Sequence, residues 1–207
     1  MNIVFKGILT IIIGYLLGSV NTSIIVSKFY GIDIREHGSK NAGMTNTLRV
    51  LGKFAGVLVI LGDVIKGVAA AYIGKYILGS VNGVLEVGIM LGGLGAIIGH
   101  NFPLYFGFKG GKGILTTAAI IAVLDAKIWL ILFVVFLVVV IITRYISLGS
   151  IVCTLLLPVV IFVQKTGNER NYMLVWGILV ALSALVMHRQ NIIRLIKGEE
   201  SKFSIKK

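Results

Sequence analysis

The sequence predicts an all-α polytopic integral membrane protein with about seven transmembrane helices, the N-terminus outside and the C-terminus cytoplasmic. Three observations predict it. The 207 residues are 57% hydrophobic and only 14% charged, with a mean hydropathy of +0.99, whereas soluble domains run near 45–50% apolar and about 25% charged. A chain this short cannot bury the excess, which excludes a soluble enzyme and a disordered chain alike. The apolar residues form continuous runs rather than alternating, which excludes a barrel. Finally, the 20 Lys+Arg against 8 Asp+Glu, a net charge of +12, lie in short clusters between those runs. Nucleic-acid binding would call for a continuous basic stripe with aromatics between; short clusters orient a membrane protein.

The runs justify the elements in order. Residues 7–26, 54–78 and 85–106 each reach the ~20 residues that a perpendicular span needs. Residues 114–124, 128–142, 148–163 and 172–187 are shorter and require flanking residues, local thinning or burial among other helices. The fourth reads either as a crossing helix or as a half-helix that does not cross. Most of the 26 glycines fall inside the runs, as in Gly92-Gly93-Leu94-Gly95, where small residues let membrane helices approach closely. The first run continues to about Tyr30 without an A-x-A-like site, unlike a signal peptide. With the N-terminus outside, thirteen basic residues fall inside (Arg35, Lys40, Arg49, Lys53, Lys109, Lys112, Arg144, Arg189, Arg194, Lys197, Lys202, Lys206, Lys207) and five outside (Lys6, Lys75, Lys127, Lys165, Arg170). That asymmetry sets the orientation. The single Cys153 can form no internal disulfide. With no internal repeat, residues 1–207 are expected to be one membrane-embedded domain, and 189–207 a basic cytoplasmic tail lying in the interface.

Nearly every reactive side chain falls on the cytoplasmic side of this scheme, pointing to one site at that interface. Lys109-Gly110-Gly111-Lys112-Gly113 ahead of a helix start offers backbone amides, a helix dipole and two cations, which suits an anion. It is not a Walker A loop, because Phe106 stands six positions before Lys112 and Gly113 replaces Ser/Thr; the plain alternative is a basic, flexible turn. Ser39, Asn41, Thr45 and Asn46 with Arg49 combine neutral donors with a guanidinium able to grip phosphate bidentately, or else cap a helix start. His188 and Asn191 share a helix face with Arg194, while Ile192, Ile193 and Ile196 line the other side. Asp63 and Lys66, deep in the second run, are either a buried structural ion pair or part of a functional cavity. His37, His100 and His188 lack metal-ligand spacing, so no metal is expected. No G-x-S-x-G elbow and no H-x-x-x-x-D motif occurs.

Taken together, several blocks resemble the bacterial acyl-phosphate:glycerol-3-phosphate acyltransferases, the PlsY family, over nearly the whole chain. They are Gly14-Tyr15-Leu16-Leu17-Gly18-Ser19, residues 38–46 with Arg49, Asp63-x-x-Lys66-Gly67 and Gly99-His100-Asn101-Phe102-Pro103. Residues 108–113, Ser147-Leu148-Gly149-Ser150, and His188-Arg189-Gln190-Asn191 with Gly198-x-Glu200 complete the set. The resemblance implies a seven-helix enzyme of the bacterial cytoplasmic membrane that acylates position 1 of sn-glycerol 3-phosphate, giving lysophosphatidic acid as the first step of phospholipid synthesis. It implies a fatty acyl phosphate donor, no cofactor or metal, and a soluble enzyme that supplies the donor. The family's motifs fall on Ser39 and Arg49, on the glycine loop, and on His188, Asn191 and Glu200, with the glutamate structural. Two positions depart from many relatives: Lys40 replaces Gly, and Gln190 replaces Glu.

On that resemblance, Ser39, Asn41, Lys109, Gly110, Gly111, Lys112 and Gly113 are expected to bind the acyl phosphate. Arg49, Lys112, Ser147, Ser150, His188 and Asn191 would orient glycerol phosphate. Ser39, His188 and Asn191 would act nearest the chemistry, with Asp63, Lys66 and Glu200 structural. The proton of the attacking hydroxyl would go to His188 or to a phosphate oxygen of the donor. The rival reading is a small anion transporter, for which Asp63, Lys66 and the glycine-rich third run would line a path. Against it stand the missing inverted repeat and the one-sided motifs.

Overall fold

In the computed structural model, residues 2–203 are described, and among them all regular structure is helical apart from an isolated bridge between Val81 and Val84 across Asn82-Gly83. The chain divides into two compact units, one up to Leu124 and one from Asp125.

The first unit holds α1 (Ile3–Gly18), α2 (Thr22–Phe29), α3 (Met44–Leu51), α4 (Lys53–Leu78), α5 (Val87–Asn101) and α6 (Ile114–Leu124). Asn2 caps α1 by accepting from the Val4 amide, and Asn21 caps α2 by accepting from Ile24. These two helices divide the first apolar run at residues 19–21, a break that its hydropathy does not reveal. α5 is the axis of this unit, with α1 and α4 packed on it. A Cβ at Gly99 would collide with the Tyr15 carbonyl oxygen of α1, and one at Gly92 with the Ala70 carbonyl oxygen of α4. Only glycine lets backbones meet at that distance.

The second unit holds α7 (Ala126–Thr143), α8 (Ile146–Gln164), α9 (Gly167–Met187) and α10 (Arg189–Ile196). α8 packs on both α7 and α9, burying Leu157, Ile161, Met173, Trp176 and Val180. At one end Lys165 bridges Asp125 Oδ2 (2.9 Å) and Glu169 Oε1 (2.6 Å), closing the α8–α9 turn onto the cap of α7.

Side chains such as Ile141 and Ile142, exposed at 74% and 75%, are stable only against hydrocarbon. Each of the seven apolar runs is found as helix. Among the described residues six segments are long and apolar enough to span a bilayer, the first of them comprising α1 and α2 together. The difference from seven is α6. Its 11 residues extend about 16 Å, roughly half of a ~30 Å hydrocarbon core.

Candidate functional site

In the first unit, residues 37–46 wrap around one side chain. Buried Asn46 donates through Nδ2 to the carbonyls of Ile34 (3.2 Å) and His37 (2.9 Å), and its Oδ1 accepts from the Ser39 amide (2.8 Å). Gly38 turns there with φ +59, and a Cβ on it would strike Asn46 Oδ1. Lys40 follows with φ +58, the left-handed region that disfavours side chains. Ser39 and Lys40 stand exposed, Asn41 is half-buried, and Arg49 is exposed in the last turn of α3. Thr45, grouped with them in the sequence, is half-buried at the start of α3.

The glycine loop rests on the end of α5. Gly110 N donates to the Asn101 carbonyl (3.2 Å) and Gly111 N to the His100 carbonyl (3.1 Å). The amides of these two glycines, expected to face an anion, therefore hold the loop in place. Beyond Gly113 the chain enters α6, whose first-turn amides have no intrahelical acceptor. A Cβ at Gly111 would collide with His100 Nε2 and the Ala42 carbonyl oxygen. Arg35, read from the sequence only as an orienting charge, clamps the loop. Its Nη1 donates to the carbonyls of Phe106 (2.7 Å) and Lys109 (3.4 Å). Its Nε and Nη2 grip the Asp33 carboxylate, and that hydrogen-bonded pairing holds the Asp33 carboxyl below the usual range. The signal was the Asp-x-Arg spacing in the loop.

Under the glycine loop lies a buried trio. Lys66 Nζ contacts Asp63 Oδ1 at 2.8 Å, His100 Nδ1 at 2.9 Å and the Val20 carbonyl at 3.0 Å. The Val20 carbonyl is available because the break between α1 and α2 interrupts the helical ladder. Asp63 and Lys66 thus form the buried ion pair, with His100 as the third member.

In the second unit Glu200 gathers three partners. Ser147 Oγ and Asn191 Nδ2 both donate to Oε1 at 2.7 Å, and Arg194 Nε donates to Oε2 at 2.7 Å. Gly198, at φ +71, turns the chain after α10 so that Glu200 reaches back. Burial pushes the Glu200 carboxyl up, but the hydrogen bonds from Ser147, Asn191 and Arg194 outweigh it and leave it below the usual value. Ser150 instead donates to the Ile146 carbonyl (2.9 Å) within its own helix. His188 is buried at the joint between α9 and α10, where its carbonyl accepts from the Ile192 amide. Its Nδ1 lies 2.8 Å from the Ala184 carbonyl; a carbonyl only accepts, so Nδ1 carries the proton and Nε2 presents its lone pair in the neutral ring. Among the described residues no three His, Cys, Asp or Glu side chains are grouped to hold a metal ion.

A family model described as glycerol-3-phosphate acyltransferase matches residues 8–198. The glycerol-3-phosphate acyltransferase of Thermoanaerobacter sp. (strain X514) is 40% identical over 202 residues, 96% of each chain. That of Clostridioides difficile (strain 630) is 41% identical over 209 residues, covering 99% of this chain and 98% of the other. The fold is similar to the crystal structure of PlsY, an integral membrane glycerol 3-phosphate acyltransferase, in its glycerol 3-phosphate form, with a TM-score of 0.86 and 34% identity over 96% of each chain. Its lysophosphatidic acid form superposes with a TM-score of 0.84, again at 34% identity, over 96% of this chain and 95% of that one.

Proposed function

The chain belongs to the family of integral membrane glycerol-3-phosphate acyltransferases of the PlsY type, and on that premise we propose that it takes its acyl group from a fatty acyl phosphate. The acceptor is the 1-hydroxyl of sn-glycerol 3-phosphate, and the products are lysophosphatidic acid and inorganic phosphate, opening phospholipid synthesis. It works in the bacterial cytoplasmic membrane, N-terminus outside, with its reactive groups facing the cytoplasm, where a soluble enzyme supplies the donor. Residues 1–207 serve this one activity, with the described part of the tail, from 189 to 203, lying in the interface and 204–207 outside the described residues.

The observation that carries the reading is the glycine loop seated on the last carbonyls of α5 ahead of the N-terminus of α6. Gly110 and Gly111 shape it; Lys109, Lys112, Gly113 and the α6 dipole receive the donor phosphate, with Ser39 and Asn41 beside it. Lys112 serves the second phosphate as well. Arg49, Ser147, Ser150, His188 and Asn191 orient glycerol phosphate, while Asp63, Lys66 and Glu200 support the frame.

An acyl phosphate is already activated, so no acyl-enzyme is required. The acceptor hydroxyl attacks the acyl carbon, a new ester C–O bond forms, and the bond to phosphate breaks. Cations and oriented amides stabilise the charge that develops on the leaving phosphate. The hydroxyl proton passes either to His188 Nε2, the basic nitrogen of the ring once Nδ1 donates to the Ala184 carbonyl, or to a phosphate oxygen of the donor. His188→Gln separates these routes. A fall of about 100-fold or more in kcat assigns the base to His188, and a rate within about tenfold assigns it to the substrate.

The deciding assay offers purified protein labelled glycerol 3-phosphate with acyl phosphate, acyl-CoA or acyl-carrier protein. Lysophosphatidic acid from acyl phosphate alone, lost in folded Arg49→Ala, is the expected result. Product from either thioester donor would overturn the donor assignment.

A further inference from the structure

His100, the third member of the buried trio, has no part in the proposed reaction, yet it meets both loops of the first unit. Its backbone carbonyl accepts from the Gly111 amide. Its ring is buried, 3% exposed, with Nδ1 facing the Lys66 ammonium at 2.9 Å. An ammonium has only protons to offer, so Nδ1 is the acceptor of that bond. The Asp63 carboxylate is 3.6 Å from Nδ1, too far for a hydrogen bond, and lies on Lys66 instead. In a neutral ring the proton must then sit on Nε2. That nitrogen lies with the Ala42 carbonyl oxygen over Gly111, where a Cβ would stand. Ala42 belongs to the loop 38–46 and is itself fully buried, its carbonyl also 3.4 Å from Asn21 Nδ2.

We infer that His100 is a positioning residue: Lys66, anchored by Asp63, fixes its ring as the Nε2–H tautomer, and this N–H ties the loop 38–46 to the glycine loop. The inference rests on the reading of the glycine loop as the seat of the donor phosphate. Lys66 thereby has a task beyond charge balance, since it selects which ring nitrogen carries the proton. A second proton on Nδ1 would confront the Lys66 ammonium directly, which keeps the ring neutral and the donor fixed.

The chain has three histidines, so 15N-histidine labelling of the full chain in lipid nanodiscs gives a spectrum that His100→Asn assigns by loss. A His100 ring with bare Nδ1 and protonated Nε2 is expected; a protonated Nδ1 overturns the inference. This readout needs no turnover, so it stands whatever the donor proves to be. In kinetics, Asn at position 100 keeps an acceptor for Lys66 but removes the far N–H, while Gln returns an N–H near the Nε2 position. His100→Asn is expected to raise KM for acyl phosphate roughly tenfold or more, the scale of one hydrogen bond near a charged group. kcat and KM for glycerol phosphate should stay within about twofold, and His100→Gln should recover most of the loss. A raised KM for glycerol phosphate alone would support His100 as a positioning residue and overturn the assignment of the loop to the donor. A fall in kcat with both KM values unchanged would overturn the positioning role.

Discussion

His100 and His188 are both buried at the C-terminal ends of their helices, α5 and α9, and both engage Nδ1, but in opposite senses. His100 Nδ1 accepts from a lysine; His188 Nδ1 donates to a backbone carbonyl. The same side chain is thereby made a fixed donor in the first unit and a fixed acceptor at Nε2 in the second. The surroundings differ in kind as well. The first unit seats its glycine loop by backbone contact, glycine against carbonyl, with Arg35 clamped across it, over a desolvated ion pair. The second holds its polar groups by side-chain hydrogen bonds gathered on one carboxylate. Backbone packing tolerates no added atom, whereas a side-chain network loses strength one bond at a time.

The largest effect is expected where charge is most deeply buried. Lys66→Met leaves the Asp63 carboxylate, 2% exposed as a side chain, without its counter-charge. Removing one partner of a buried pair costs about 3–5 kcal/mol, so the thermal midpoint in detergent should collapse. Asp63→Asn with Lys66→Gln, which removes both charges, should restore most of it. If the single change leaves the midpoint within a few degrees, the first unit does not depend on its ion pair and the contrast with the second fails.

A smaller but sharper contrast compares two glycines. Gly111→Ala drives a methyl into backbone and a ring that hydrogen bonds hold in place, and a displacement of about 1 Å can cost on the order of 100-fold in rate. Gly198 has φ +71 and open space around it, so Gly198→Ala bears only the left-handed penalty of roughly 1–2 kcal/mol. Activity assays paired with melting curves should show the first losing turnover while still folded, and the second losing stability ahead of turnover.

How much of this was legible follows the same divide. Hydropathy placed the seven apolar runs, because desolvating apolar runs is a local property of the chain, but not α3, which is no apolar run. The break at residues 19–21 was not legible: it depends on Asn21 capping α2 and on Lys66 taking up the Val20 carbonyl, 46 residues away. The glycine loop was recognised, but its first two amides were expected to face an anion. That they bind the Asn101 and His100 carbonyls follows only from how α5 ends. Ser147 and Glu200 are 53 residues apart, and nothing in their local sequence pairs them. Tautomers are set by partners brought together in three dimensions, and so lie beyond composition and spacing.

Glu200 tests the graded side of the comparison. Glu200→Gln keeps the shape but removes the charge that Arg194 faces and weakens the acceptor for Ser147 and Asn191, at about 1–3 kcal/mol. Acid should do the same without mutation. The folded-state pKa of Glu200 lies below its ordinary value of 4.5. Its stabilisation is therefore complete above pH 4.5 and fades as pH falls through the lower, folded value. Wild type should lose thermal stability across that window more steeply than Glu200→Gln does; parallel pH profiles would remove Glu200 as the organising acceptor of the second unit.

The smallest expected effect is a gain, and it lies in the first unit. Lys40 is exposed and holds φ +58, a conformation that costs a residue with a Cβ about 1 kcal/mol relative to glycine. The neighbouring turn is held by Asn46, whose bonds to His37 and Ser39 do not involve the lysine side chain. Lys40→Gly should therefore relieve strain and raise the thermal midpoint by a few degrees at most, since glycine also gains entropy when unfolded. The lysine also adds positive charge next to Ser39 and Asn41, and its removal should raise KM for acyl phosphate at low salt, with the difference shrinking as salt is added. A midpoint that rises with KM unchanged would make Lys40 a tolerated strain and nothing more; a KM change that persists in high salt would mean that the turn itself, rather than its charge, had moved.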